Sequence, residues 1–440
     1  MNSIAKIVSI CKQRGFVFPS SEIYGGFESC YDFGPLGVEM KKNIKSIWWS
    51  EMRQKHSNIV GLDASILMNP LVWKASGHLT AGFADELVEC KKCHKRFKEE
   101  ELQKKKCPEC GGELTKSKKF NLMMRTFVGP VENDTSITYL RAETCQGIYL
   151  NFNNILKSMR LKIPFGIAQT GKAFRNEINP KDFIFRTREF EQMEMQWFCP
   201  PKTVDKWFNY WKEERIKWYL NLGIKKENLR AREIPKEDRA HYAKAQVDIE
   251  YKFPFGWQEI EGIHNRGDWD LSNHSKYSKK DLSYFDETTK EKYMPCIVET
   301  SVGVERSLFA FFCDAFQEIK GGRTKTTKAV KEKEILLKID KRIAPIKVVV
   351  LPLVKNKEEL VKKAKEVYQL LRAHWICQYD EIGSIGKRYR RGDEIGTVIA
   401  VTVDFDTLKD NAITIRDRDT MKQERIKIKD LVEVLKEKIE

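Results

Sequence analysis

Apolar positions change their period along this chain, and the change divides it. Toward the C-terminal end, residues 346–351 (Ile-Lys-Val-Val-Val-Leu) read as a short buried strand. Leu360, Ala364, Val367 and Leu371 then recur at helical spacing, which predicts an amphipathic helix. Strand-like runs follow at 375–379, 397–405 and 412–416. A closing helix places Leu431, Val434 and Leu435 on one face. Strands alternating with helices over this length predict a small α/β domain. Earlier in the chain, strand-like runs at 165–170, 191–198 and 297–302 stand between long irregular or helical inserts. That order predicts an antiparallel sheet with helices on one side, an α+β layout. The expected division is residues 1–320, a connector 321–342, and residues 343–440. The connector opens on Gly321-Gly322, carries eight Lys/Arg against three Asp/Glu, and reads as a mostly helical linker.

Composition narrows the class. A hydrophobic fraction of 41% and a charged fraction of 32% describe a folded chain of 440 residues, not a disordered one. No apolar run reaches the ~18–20 residues of a membrane span. The first fifteen residues lack the apolar block of a secretory signal, so the cytoplasm is the expected location and no membrane partner is expected. A formal charge of +16 favours a polyanionic partner, although a solvated basic surface gives the same count.

Eleven cysteines include one ordered set. Cys90-x-x-Cys93 and Cys107-x-x-Cys110 form two knuckles that can close a tetrahedral thiolate cage. Gly111 and Gly112 follow, where the absence of Cβ lets backbone N–H groups approach sulfur. A closed structural zinc site is expected. Reduced, metal-free cysteines are the alternative, and His94 is a less favoured substitute ligand. Residues 90–119 hold eleven Lys/Arg against five Asp/Glu, a basic knob suited to nucleic acid or simply to solvent.

Phosphate-loop and dinucleotide fingerprints are absent from the sequence, as is an HExxH pair. His78, His264 and His274 read as structural. The chemistry concentrates in arginines and glutamates. Residues 169–177, ending Phe174-Arg175-Asn176-Glu177, leave a strand and enter a loop containing Asn179-Pro180. The chain returns through Phe185-Arg186-Thr187-Arg188-Glu189-Phe190. Two strands around a loop let Arg175, Arg186, Glu177 and Phe190 share a face. Guanidinium forks suit phosphates, and a ring suits a base. By charge alone, an exposed hairpin laced with ion pairs is the better reading.

Three motifs in order resemble those of class II aminoacyl-tRNA synthetases: Tyr31-Asp32-Phe33-Gly34-Pro35-Leu36-Gly37, then Phe174-Arg175-Asn176-Glu177, then Glu299-Thr300-Ser301-Val302-Gly303-Val304-Glu305-Arg306. The homodimeric glycyl branch is the more similar one. Its N-terminal region resembles 14–18, 21–26, 61–63, 68–70 and 75–78. Its substrate loop resembles Arg141-Ala142-Glu143-Thr144 with Gln146-Gly147. Its anticodon-binding domain resembles 384–391 and 393–396. The likeness implies an antiparallel-sheet catalytic domain over 1–320 with a zinc-ribbon-like insertion at about 86–119 and a further insertion at about 200–245. It also implies a C-terminal α/β anticodon-binding domain and a homodimer joined through the first motif.

The implied reaction joins glycine to ATP, then passes glycine to tRNA(Gly), with magnesium assisting. Arg175 and Arg306 are the implied catalytic groups. The implied ATP contacts are Arg175, Asn176, Glu177, Phe185, Arg186, Thr187, Arg188, Glu189, Phe190, Glu259, Ile260, Gly303, Val304, Glu305 and Arg306. Those for glycine are Glu143, Phe190, Glu191, Gln192, Met193, Glu194, Glu299, Thr300, Ser301, Val302 and Gly303. Carboxylates around a small ammonium suit glycine, and Ser301 stands where most of the class has glycine. Lys98 replaces an arginine common in the branch. Lys387, Arg388, Arg390 and Arg391 are implied tRNA contacts, with a solvated helix face as the alternative. Threonine, serine or proline as substrate, or a binding subunit without catalysis, are the competing readings.

Overall fold

The structure is a computed structural model and describes residues 4–80, 83–99, 102, 104–177, 182–321, 323 and 333–439. The main sheet has seven strands. Their spatial order is Leu229–Glu233, Ala245–Phe253, Gly256–Gly267, Cys296–Gly303, Glu189–Cys199, Phe165–Phe174 and Ile59–Leu62. All pairs are antiparallel except the last, where Ile59–Leu62 runs parallel to Phe165–Phe174. The three runs read as strands from sequence are the centre of this sheet.

Period-two alternation explains the layering. In Glu189–Cys199, Met193, Met195, Trp197 and Cys199 are buried in the main core, while Gln192, Glu194 and Gln196 alternate with them. The apolar face meets three helices, Pro35–Gln54, Val204–Asn221 and Val304–Ala315. Trp48, Trp211, Tyr219, Phe309 and Phe312 fill the layer between. The opposite face is covered at one end only. There Phe152, Phe165, Phe198 and Ile297 form a second cluster beneath helices Cys145–Leu150, Phe152–Ser158 and Trp269–Ser278. The other end of that face stays open as a cleft.

Helix Pro35–Gln54 is fixed at its start. Proline stands at the first turn, where its missing N–H costs nothing. The Leu36 N–H donates to the Gly15 carbonyl and the Gly34 N–H to that of Phe16. Gly37, Met40, Lys41, Ile44, Trp48 and Met52 make the buried stripe.

A second, five-stranded sheet follows, in the order Cys377–Tyr379, Val348–Pro352, Ile399–Val403, Ala412–Asp417 and Gln423–Lys427. Val348–Pro352 is parallel to both neighbours; the later pairs are antiparallel. Helix Glu358–Arg372 buries Leu360, Ala364, Val367 and Leu371, the four positions its spacing picked out. The edge strand Gln423–Lys427 escaped the sequence reading because Ile426 is its one apolar residue, a common dress for an exposed edge.

One expectation is corrected. The connector was read as mostly helical, but Glu334–Leu337 is a strand paired antiparallel with Phe316–Ile319. Its apolar residues sit together at one end, where Leu336 and Leu337 enter the core. Residues 324–332 of that connector lie outside the described residues, as do Gly322 and the Asn179-Pro180 loop. Arg323 joins the two sheets' surroundings, donating to Glu334, to Asp393 and to the Arg418 carbonyl.

The tightest approach in the fold gives a prediction. A Cβ on Gly37 would lie 1.9 Å from the Phe16 carbonyl oxygen, and backbone on both sides is already paired. Gly37→Ala should therefore cost about 1–3 kcal/mol, read as a lowered midpoint in thermal or urea unfolding. An unchanged midpoint would mean the helix start has slack.

Candidate active site

Strand register builds the floor of the cleft. Across the sheet, Gln169 stands opposite Glu194, Glu194 opposite Ser301, and Ser301 opposite Gly262. The next row runs Gln196, Glu299, His264. Directly opposed residues share a face, so two rows of polar side chains lie side by side. The cleft above them encloses about 250 Å³, and its lining includes Glu143, Glu194, Glu299, Ser301, Tyr242 and His264 at the inner end. Gly262 is required here, since a Cβ would meet the His264 ring at 2.6 Å.

Three glutamates are buried in one place: Glu143 at 7% exposure, Glu194 at 1% and Glu299 at 3%. Each is held differently. Glu299 accepts from Arg266 Nη1 at 2.9 Å and Gln196 Nε2 at 2.8 Å, and meets His264 Nδ1 at 2.8 Å. Burial pushes its carboxyl up, but the Arg266 charge and the bond and charge of His264 outweigh that and hold it at about 2. Glu143 accepts from Gln146 Nε2 at 2.8 Å and from the Cys145 thiol at 2.9 Å, with His78 Nε2 at 3.4 Å. Burial again opposes ionisation there, yet His78, then Arg266 and the Cys145 thiol, bring it well below the usual range. Glu194 has only Thr144 Oγ1 and a long bond from Gln196 Nε2 at 3.4 Å. Burial, then the charges of Glu299 and Glu143, drive its carboxyl well above the usual range. The pocket floor thus carries one carboxyl group short of a cation.

The outer half of the cleft collects the arginines. Arg175 lies over the Phe190 ring at 5.4 Å and the Phe83 ring at 5.5 Å, and its Nε donates to the Ala142 carbonyl at 3.1 Å. Arg306 sits over Phe185 at 4.6 Å and donates to the carbonyls of Phe185 and Glu259. Its guanidinium also meets the Glu259 carboxylate at 3.2 Å. Arg186, Thr187, Glu177 and Gly303 line the same space. Arg188 lies behind it, holding the carbonyls of Glu177 and Glu28. Asn176 contributes its backbone N–H to the Leu122 carbonyl, and Glu189 is exposed against Lys172.

The sheet does not bring every expected residue into the cleft. Alternation turns the side chains of Met193, Thr300 and Val302 to the helical face, where Met193 and Val302 are core. Val304 and Ile260 are buried in the same core. Glu191 points that way too, paired with Lys41 at 2.6 Å and Lys45 at 2.8 Å. Glu305 reaches the cleft wall, but its carboxylate holds Lys41 and the Glu191 N–H. As side-chain contacts, Glu191, Met193, Thr300, Val302, Val304 and Ile260 are therefore corrected; a contiguous motif read as a block ignores the pleat. In the other direction, sequence reading passed over Arg266, Gln196, Tyr242 and Gln246, and read His78 and His264 as structural. The signal was the alternation Gly262-x-His264-x-Arg266 facing Glu299-x-Ser301.

Arg266 is the hub of that missed set. It is buried, grips Asp270 through Nε and Nη2 at 2.6 and 2.8 Å, and stacks under Tyr242 at 3.6 Å. Tyr242 is in turn edged by His264 and Trp269.

The cysteine knuckles close on each other. Cys90 Sγ lies 3.5 Å from Cys110 Sγ, and Cys93 Sγ 3.6 Å from Cys107 Sγ. All four sulfurs fall within 4.8 Å of one another. A tetrahedral cage with metal–sulfur bonds of about 2.3 Å has edges of roughly 3.8 Å, so the donor set fits. The N–H groups of Lys92 and Cys93 point at Cys90 Sγ at 3.4 and 3.5 Å. Gly111 has φ +69°, and a Cβ on Gly112 would strike Cys90 Sγ at 2.9 Å. His94 turns away to Glu89. Lys98 is buried against Asp85 at 2.6 Å, outside the cleft lining.

In the second sheet's domain, Arg388 is buried and donates to the carbonyls of Pro352, Leu353 and Asp380. That placement corrects it as a tRNA contact. Arg391 pairs with Asp380, and Lys387 is exposed at the start of helix Ile385–Glu394.

Residues 130–313 match the tRNA synthetase class II core domain (G, H, P, S and T), and residues 347–438 match the anticodon binding domain. A glycine–tRNA ligase of Treponema denticola is 51% identical over 100% of this chain and 97% of its own length. The glycine–tRNA ligase of Borreliella burgdorferi is 50% identical over 98% and 97%. That of Thermobifida fusca is 48% identical over 94% and 93%.

Proposed function

The chain belongs to the glycine–tRNA ligase family of class II synthetases, and from that premise we propose that it activates glycine with ATP and esterifies it to tRNA(Gly). One observation carries the choice of glycine: three buried carboxylates converge on a cleft floor, and of the three only Glu299 is directly bonded to an arginine, Arg266. A small ammonium is the ligand that such a floor lacks. Glu143, Glu194 and Glu299 surround it, with Ser301 and Gln192 beside them. Gln192 and Phe190 edge the carboxylate end of the substrate.

The carboxylate of glycine attacks the α-phosphorus of ATP, the bond to pyrophosphate breaks, and glycyl-adenylate forms. Positioning and charge neutralisation do most of this. Arg175 holds the α-phosphate. Arg186 and Arg306 hold the γ-phosphate, Phe190 stacks on adenine, and Glu177 accepts from its amine. Thr187, Gly303 and the backbone of Asn176 line the nucleotide's path. Glu259 would hold magnesium, which supplies charge against the triphosphate. The terminal ribose hydroxyl of tRNA then attacks the glycyl carbonyl and AMP leaves.

The remaining assignments belong to the same proposal. Residues 1–320 form the catalytic unit, 321–342 the connector and 343–440 the anticodon-binding unit, with Lys387, Arg390 and Arg391 toward tRNA. The first motif's helix, Pro35–Gln54, serves a homodimer. The cysteine cage holds structural zinc. The cytoplasm is the site of action; among the described residues, no helix is long and apolar enough to cross a membrane.

Glycine-dependent ATP–pyrophosphate exchange is the deciding measurement, run against all twenty amino acids. Glycine alone should support it; exchange with threonine, serine or proline in its place sinks the specificity, and none at all favours a binding subunit.

The pH dependence follows from Glu194. Its carboxyl is raised in the free pocket, so it is protonated over more of the pH scale than an ordinary glutamate. An arriving ammonium favours the ionised form, so binding expels a proton. The KM for glycine should fall as pH rises until Glu194 ionises by itself, then level off. Glu194→Gln should raise KM and flatten that slope. A slope that persists in the variant assigns the proton elsewhere.

Purified protein should contain about one zinc per chain. Cys107→Ser should lose it and loosen residues 84–121 to proteolysis, while a metal-free wild type of equal protease resistance would remove the structural role.

A further inference from the structure

We propose that Lys41 is a positioning residue for the nucleotide: acting through Glu305, it cancels a carboxylate on the cleft wall and pins it to the strand behind, so that Arg306 meets a phosphate with no competing anion beside it. The inference rests on the proposed use of the outer cleft by ATP. Two independent observations support it. The first is where the lysine stands. Gly37, Met40, Ile44, Trp48 and Met52 are buried along helix Pro35–Gln54, and Lys41 lies within that stripe at 9% exposure. A charge there is costly unless it is paired. Its ammonium meets Glu191 Oε2 at 2.6 Å, Glu305 Oε1 at 2.7 Å and the Phe33 ring at 4.0 Å. An ammonium has three N–H donors, which matches the number of partners. Burial lowers its pKa, but the charges of Glu305 and then Glu191 outweigh that and raise it, so the cation persists.

The second observation is what the two carboxylates flank. Glu191 follows Phe190 on strand Glu189–Cys199, and Glu305 precedes Arg306 in the first turn of helix Val304–Ala315. Phe190, Glu305 and Arg306 all line the cleft. Glu305 is buried, and its other oxygen accepts from the Glu191 N–H at 2.9 Å. Glu191 has a second cation, Lys45 at 2.8 Å. Glu305 has no ion-pair partner besides Lys41 among the described residues. Lys41 therefore keeps a buried anion beside the phosphate wall compensated. Deprived of it, Glu305 would repel the triphosphate or turn to Arg306 and occupy the guanidinium. Either change weakens the grip on the nucleotide. The glycine floor, built on Glu143, Glu194 and Glu299, has its own partners and would stay as it is.

The test is glycine-dependent ATP–pyrophosphate exchange with ATP and glycine each varied in turn. It compares the full-length wild type with K41M, K41R, K41M/E305Q and a control, K42Q, on the exposed side of the same helix. K41M should raise the KM for ATP roughly tenfold or more, because one member of a buried pair is left charged, while kcat and the KM for glycine stay within about twofold. K41R keeps the charge and should hold the KM for ATP within about threefold of the wild type. K41M/E305Q leaves no unpaired charge at that spot and should recover most of the loss; it carries the test if K41M alone is too unstable to assay. K42Q should behave as the wild type. A merely structural lysine gives a different pattern: in K41M both KM values move together with the unfolding midpoint, and adding E305Q brings no relief. That pattern overturns the inference. So does a KM for ATP in folded K41M equal to that of the wild type, or one in the double variant still raised tenfold. A wild type without glycine-dependent exchange refutes the synthetase reading and this inference with it; exchange in the wild type with any of the preceding patterns refutes the inference alone.

Discussion

The site depends on burying three carboxylates within one small volume. An isolated ionised carboxylate in a protein interior is very costly unless it is paired. This fold supplies pairing for two of the three. Arg266 with His264 serves Glu299, and His78 with Gln146 serves Glu143. Glu194 receives a hydroxyl and a long amide bond, and burial together with the charges of Glu299 and Glu143 raises its carboxyl. A pocket poised this way binds a cation by completing its own electrostatics. That logic also explains why Arg266 is locked so firmly by Asp270 and by the Tyr242 ring. An arginine free to swing inward would neutralise the floor and occupy the substrate's place.

Holding that arrangement is the task of the sheet. Glu194, Ser301 and Gly262 stand in one cross-strand row, and Gln196, Glu299 and His264 in the next. A slip of one residue in any of these pairings would exchange the carboxylates for Met193, Val298 or Ile263, all core residues. The apolar face is therefore what keeps the polar face in register. Met193, Met195, Trp197, Val298 and Val302 pack in the main core, and that packing fixes the placement of the glutamates on the opposite face of the same strands.

Much of this was legible from the chain itself. The central strands follow from their apolar alternation, helix Glu358–Arg372 from its spacing, and the knuckles from CxxC arithmetic. Motif resemblance pointed to Arg175, Arg306 and the three glutamates, which the fold brings to one cleft. It failed where a motif was read as a block, because the pleat sends Glu191, Met193, Thr300 and Val302 to the other face. It failed again at Arg388, whose charge serves three backbone carbonyls. A charged side chain that caps carbonyls looks, in sequence, the same as one that meets phosphate. Arg266 and Gln196 were hidden for a related reason: their roles arise from partners on other strands, 33 and 103 residues away.

The outer half of the cleft, proposed here for the nucleotide, obeys a different rule from the inner half, proposed for glycine. Its arginines are already satisfied, but by partners that can be exchanged. Arg306 rests on the Glu259 carboxylate, which is partly exposed, and on two carbonyls; Arg175 rests on rings and one carbonyl. None of these is a buried ion pair of the Arg266 kind. On the proposed assignment, a triphosphate would offer Arg306 a stronger, bidentate-capable partner and free Glu259 at the same step. Interactions that merely park a guanidinium order the wall and would compete little with a triphosphate. The two halves are thus built to opposite ends. The inner floor is buried and bonded on most sides, which on the proposed reading suits selection of a small cation; the outer wall is charged and held by exchangeable partners, which suits a larger anionic ligand.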